Sequence, residues 1–214
     1  MKKLMIYAAA LIVTLQVNAQ DNTKAKNILD GVSQQIKSYT TMNISFTFTV
    51  ENTKKKTKES QTGIANIKGD KYFLEYAGQE VYSDGKTLWT FLKDVKEVHI
   101  NNLEENTETI LNPMKMVTEY NKNFTPKFIK EEARGSKIIQ IIDLTPMKAK
   151  SYYKVRIEID KIQKNISGAI IYDKNGMNTY TYTITKFITN QDIPDSRFTF
   201  KTVDHPGVEV IDLR

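Results

Sequence analysis

The chain has 214 residues, no cysteine, 26% charged side chains and a formal net charge of +6. Without cysteine there is no disulfide, zinc–thiolate site, thiol nucleophile or acylated N-terminal cysteine, so the fold stands on its apolar core alone. The positive balance is mild and lacks interleaved basic and aromatic residues, which sets nucleic acid aside as a partner.

Lys2 and Lys3 precede an uncharged apolar run from Leu4 to Leu15 and then Val17-Asn18-Ala19, the pattern of an export signal cut after Ala19. Crossing ~30 Å of hydrocarbon takes about 20 apolar residues, so export with release is expected rather than a retained anchor. Removing 19 of the 214 residues leaves 195, and losing Lys2 and Lys3 lowers +6 to +4. That length suits one domain burying about 70% of its unfolded surface. No linker, repeat or low-complexity tract interrupts it, and a single domain over residues 20–214, a monomer, is expected.

Ala25, Ile28, Leu29, Val32 and Ile36 recur at helical spacing and predict an amphipathic helix from Thr23 to Ser38, capped by Asp21 or Thr23. From Asn43 the period falls to two, with Ile44, Phe46, Phe48 and Val50 on one face of a strand. Lys54-Lys55-Lys56-Thr57-Lys58 then reads as a solvated hairpin tip, or as a patch for anionic headgroups or an acidic partner. Strands follow at 63–68, 71–76, 80–82, 87–92 and 97–101. Asp84-Gly85 predicts a type I′ hairpin that sets the chain's single tryptophan, Trp89, beside the turn. Asn112-Pro113 opens a short helix over Met114 to Tyr120, with Leu111, Met114, Val117 and Tyr120 on one face. The remaining strands are expected at 128–132, 137–144, 153–160, 167–173, 178–189 and 198–201. Consecutive strands joined by tight turns predict an antiparallel meander. The fold class is mainly β with α: an incomplete antiparallel β-barrel, a curled meander whose concave apolar face the helices cover.

Nothing in the sequence assembles a catalytic or metal site. His99 and His205 lie in no metal-ligand spacing, and His99 shares a strand face with Glu97 and Asn101. Glu104-Glu105 and Glu131-Glu132 are neighbours on extended segments and point to opposite faces. Ser83 has no nucleophile elbow, and no glycine-rich loop cradles a phosphate. An enzyme is not expected, and no cofactor is implied.

The run Val81-Tyr82-Ser83-Asp84-Gly85-Lys86-Thr87-Leu88-Trp89, the segment Gly63 to Tyr76, and the tail Phe198-Thr199-Phe200 with Pro206-Gly207-Val208 together resemble the periplasmic outer-membrane lipoprotein carrier (LolA-type) family. The resemblance implies a half-barrel lidded by helices in the periplasm. It implies a carrier that takes lipoprotein acyl chains from an inner-membrane export complex and delivers them to the outer membrane or a receptor there. The alternatives are a non-shuttling lipid sensor or protein-interaction module on the same half-barrel, or a carrier of another apolar ligand such as a glycolipid.

Each methylene left in water costs about 0.8 kcal/mol, so a chain of ~15 represents roughly 12 kcal/mol. A rigid pocket returning all of that would not release its load, so the host must be able to weaken its own site. A lid does so when closing it covers the apolar surface that cargo would otherwise cover. Candidate lid and helix-face residues are Ile28, Leu29, Val32, Leu111, Met114, Met116, Val117 and Tyr120. Wall candidates are Phe46, Phe48, Phe73, Trp89, Phe91, Tyr180, Tyr182 and Ile184. The family places an Arg-Pro latch a few residues before an aromatic, for which Phe73 fits here. Gly69 and Asp70 stand at the latch positions instead. Either Lys68 or Lys71 substitutes as a weaker donor or the gate works differently.

Overall fold

The computed structural model describes residues 21–103 and 113–214. A helix, α1, covers residues 21–38, so Asp21 and Thr23 lie inside it rather than capping it. Six strands follow: β1 (Met42–Asn52), β2 (Thr57–Lys68), β3 (Lys71–Tyr76), β4 (Gln79–Ser83), β5 (Thr87–Leu92) and β6 (Glu97–Asn102). Two short helices, α2 (Pro113–Thr118) and α3 (Tyr120–Asn123), precede β7 (Phe124–Arg134), β8 (Lys137–Pro146), β9 (Tyr152–Asp160), β10 (Asn165–Asp173), β11 (Asn178–Thr189) and β12 (Glu209–Asp212). The strands form one sheet in the order β12-β6-β5-β4-β3-β2-β1-β11-β10-β9-β8-β7, with β12 and β7 as its outer strands among the described residues. The protein is therefore mainly β, and its sheet does not close into a barrel. Among the described residues no helix is long and apolar enough to cross a membrane.

Three local expectations are corrected. First, the last strand is parallel: β12 pairs with β6 from Glu209↔Glu97 to Asp212↔Ile100. Second, 198–201 is no strand. A 3-10 turn, Asp195–Phe198, leads into Thr199 and Lys201, whose backbones are extended but carry no ladder. The two-residue alternation that predicted a strand is real, since Phe198 and Phe200 both bury, but its partner is core packing. Third, the Asp84 hairpin is wider than type I′. Ser83 pairs with Leu88, Asp84 Oδ1 accepts from the Lys86 and Thr87 amides at 2.9 and 2.8 Å, and the positive φ falls on Gly85.

The described residues of Met1–Lys37, Asn52–Lys56 and Asn112–Tyr180 make one compact unit. Ser38–Glu51, Thr57–Leu111 and Thr181–Arg214 make the second. In the first, β7 to β10 run antiparallel. Pro126 is tolerated in β7 because an edge strand leaves one side of its backbone without ladder partners. Ala25, Leu29, Val32 and Ile36 of α1 are buried together with Ile139, Ile141, Val155, Ile157 and Ile159 of the strands. In the second unit, β2 to β6 form an antiparallel meander. Phe46 lies over Gly63, where a Cβ would come within 2.5 Å of its ring, so only glycine admits this packing.

Candidate functional site

The helix-face candidates gather in the first unit. Met114, Met116, Val117 and Tyr120 are all buried, with Val117 fully so, on a segment only eleven residues long. The expected single helix breaks at Glu119 into α2 and α3, and this turns Tyr120 so that its hydroxyl donates to Asp30 Oδ1 of α1 at 2.6 Å. Burial, and then that bond, push the Tyr120 hydroxyl well above its ordinary pKa. Leu29 and Val32 are buried on α1. Ile28 is half-buried and lines a cavity of about 290 Å³ between α1 and the β8 and β9 strands, beside Gly31, Val32, Gln140 and Ile159. Leu111 and the expected cap Asn112 lie outside the described residues.

The wall candidates divide. Phe46, Phe48 and Tyr182 form an aromatic group with Tyr76: Phe48 sits 4.8 Å from Tyr182 and 6.2 Å from Tyr76, and Phe46 is 5.9 Å from Tyr182. Ile184 and Tyr180 alternate with Tyr182 along β11 and are half-buried. Desolvation pushes the Tyr72 hydroxyl up to about 12 and those of Tyr76 and Tyr182 upward, although all three side chains are only half-buried.

Phe73, Trp89 and Phe91 belong to the other face of the same meander, because neighbours on a strand alternate. Phe73 and Phe91 form a cluster with Tyr82, Val98, Ile193, Phe198 and Phe200, against which Trp89 packs. The chain's own C-terminal turn occupies this face. His205, expected in a plain loop, stacks on Phe200 at 4.5 Å and 15°, and lies 4.6 Å from Phe91. His99 Nε2 lies 3.4 Å from Glu97 Oε2 on the strand face the alternation predicts.

Lys68 and Lys71 converge on one carboxylate. Their amines reach Asp195 at 2.8 and 2.6 Å and hold its pKa down at about 2, and Lys68 also donates to the Ile193 carbonyl at 3.0 Å. Sequence reasoning missed Asp30 and Asp195. Asp30 sits on the exposed side of an amphipathic helix, where any polar residue fits the pattern. Asp195 follows Pro194 in what reads as a loop, and its two partners are more than 120 positions away.

The family model described as outer membrane lipoprotein carrier protein LolA matches residues 37–201. An outer-membrane lipoprotein carrier protein of Histophilus somni (strain 2336) is 28% identical over 222 residues, spanning 100% of this chain and 99% of the relative. Its counterpart in strain 129Pt is 27% identical over 221 residues with the same coverage. Among solved structures, the fold is similar to that of an uncharacterized conserved protein from Thermus thermophilus, with a TM-score of 0.59, 11% identity, and coverage of 88% of this chain and 99% of that one. The matched residues run from the end of α1 through the buried Phe198–Phe200 turn, most of both compact units, and on that extent the chain belongs to the outer membrane lipoprotein carrier protein LolA family.

Proposed function

We propose that this protein is a periplasmic carrier that shields lipoprotein acyl chains and moves them from an inner-membrane export complex to the outer membrane or a receptor there. The observation that carries the reading is the α2–α3 segment: four apolar side chains buried over a few residues, tied to α1 by the Tyr120–Asp30 hydrogen bond. A segment this short contributes little helix stability of its own and stays docked through its apolar contacts. Those contacts are what a hydrocarbon tail would replace, so opening the segment and loading the cargo exchange like for like. The half-buried aromatic face of Phe48, Tyr76 and Tyr182 supplies wide, sequence-indifferent apolar surface of the kind a methylene chain lies against. Met114 and Met116 suit a surface that repacks around variable chains.

The test is transfer. Labelled lipoprotein in inner-membrane vesicles, given its export complex and this protein, should appear first in the soluble fraction and then in acceptor membranes, in proportion to the protein added. Acyl-probe binding without any such transfer would leave a lipid sensor in place of a carrier.

A further inference from the structure

We propose that a cavity beside the C-terminal turn of the second unit is a binding site for a polyol phosphate ester, a function separate from acyl-chain carriage and on the sheet face opposite Tyr72, Leu74 and Tyr76. The cavity measures about 250 Å³, and Ser196, Arg197, Thr199, Lys201, Asp204 and His205 line it. Arg197 is the centre of the site. Its Nε donates to Oδ1 of the buried Asn66 at 3.0 Å, and its guanidinium lies 3.6 Å over the fully buried ring of Phe73. With the Nε and one face committed, the two terminal amines are the donors left over, and among the described residues no acceptor takes them.

The turn that presents this fork is itself clamped. Asp195 is gripped by Lys68 and Lys71, Lys68 holds the Ile193 carbonyl, and Phe198 is sunk in the core. The ordering that an arginine fork ordinarily undergoes on binding an oxyanion has therefore been met in folding. Asp195 offsets one of the two charges of Lys68 and Lys71, and neither lysine lines the cavity, so the cationic side chains that face it are Arg197 and Lys201. Lys201 is exposed and has no carboxylate partner among the described residues.

The donor set selects the ligand. An arginine fork alone would serve a carboxylate, but the Lys201 ammonium and the Ser196 and Thr199 hydroxyls add donors beyond what two oxygens use, and a phosphoryl group has the oxygens for them. Asp204 disfavours a bare anion beside it and accepts a hydrogen bond from a hydroxyl, which points to an ester carrying a free hydroxyl. His205, fixed by its stack on Phe200, adds ring nitrogens to the same wall. Such an ester exists free in solution, as glycerol phosphate, and as the headgroup of an anionic phospholipid.

The full exported chain should be titrated with glycerol 3-phosphate while the Arg197 side-chain and His205 ring resonances are followed. The same chain should be sedimented with phosphatidylglycerol and with phosphatidylcholine vesicles. Saturable shifts at Arg197 and His205 are expected. Arg197→Lys, which keeps the charge but loses the fork, should weaken them about tenfold. Lys201→Ala, an exposed change that leaves the core untouched, should weaken them severalfold. Binding to phosphatidylglycerol vesicles that is lost in Arg197→Lys identifies the headgroup as the source, whereas binding of the soluble ester alone identifies a free metabolite. Absence of saturable shifts at millimolar ester, or binding that survives both variants unchanged, overturns the proposal.

Discussion

Tyr120 shows how one hydroxyl sets a conformational balance. Its bond to Asp30 reaches a carboxylate, but Asp30 is exposed, so solvent trims its worth to about 1 kcal/mol. If docked α2–α3 competes with cargo, Tyr120→Phe raises the binding-competent fraction, and apparent affinity for a fluorescent acyl probe should rise about fivefold. Unchanged or weaker binding would show that the segment does not compete. Asp195 carries the pH dependence of the C-terminal turn. Its folded pKa of about 2, set by Lys68 and then Lys71, lies below the ordinary ~3.9, so its stabilising contribution is full above that value and lost as pH falls through about 2. Protection of the Arg197 and Phe198 amides, their exchange rate compared with that of an unstructured chain at the same pH, should be lost over that fall in the native chain. In Asp195→Asn that protection should be lower already at neutral pH, with no further loss across the same window. A native-like pH profile in Asp195→Asn would remove the clamp from the account.

The helices and strands were legible wherever the apolar period was clean. The helix read from Ala25, Leu29, Val32 and Ile36 forms over residues 21–38, and β3, β5 and β8 fall close to where alternation predicts them. What escaped was long-range. Nothing local distinguishes Phe198-Thr199-Phe200 packed as a plug from the same residues in a ladder, and nothing near Asp195 announces Lys68 and Lys71. Alternation also divides the aromatics of the second unit between two faces, which a list of aromatic residues cannot reveal until register is known. For α2, Val117→Glu places a carboxylate in a fully buried position without a partner, a cost of several kcal/mol that undocking the segment relieves. Melting temperature should fall little while retention of an acyl probe falls strongly, because once cargo has displaced the segment from α1 the same side chains lie on the hydrocarbon, where Tyr120→Phe stays apolar and a carboxylate does not. Equal loss of both would make Val117 ordinary core.

At the scale of the molecule, a sheet that does not close into a barrel and a short apolar segment docked on α1 fit the proposed task of holding hydrocarbon and letting it go. A fully apolar, permanently formed pocket would bind a chain of ~15 methylenes too tightly to unload it. A docked segment that gives up its own contacts makes the net gain on loading small. The absence of native cysteine allows this to be tested without background: Asp30→Cys and Tyr120→Cys, joined by a short thiol cross-linker, fasten α3 to α1. The decisive measurement is acyl-probe binding to the cross-linked and unlinked forms of that double variant. Binding is expected in the unlinked form and none in the fastened one, and equal binding in both would show that the segment does not gate the site.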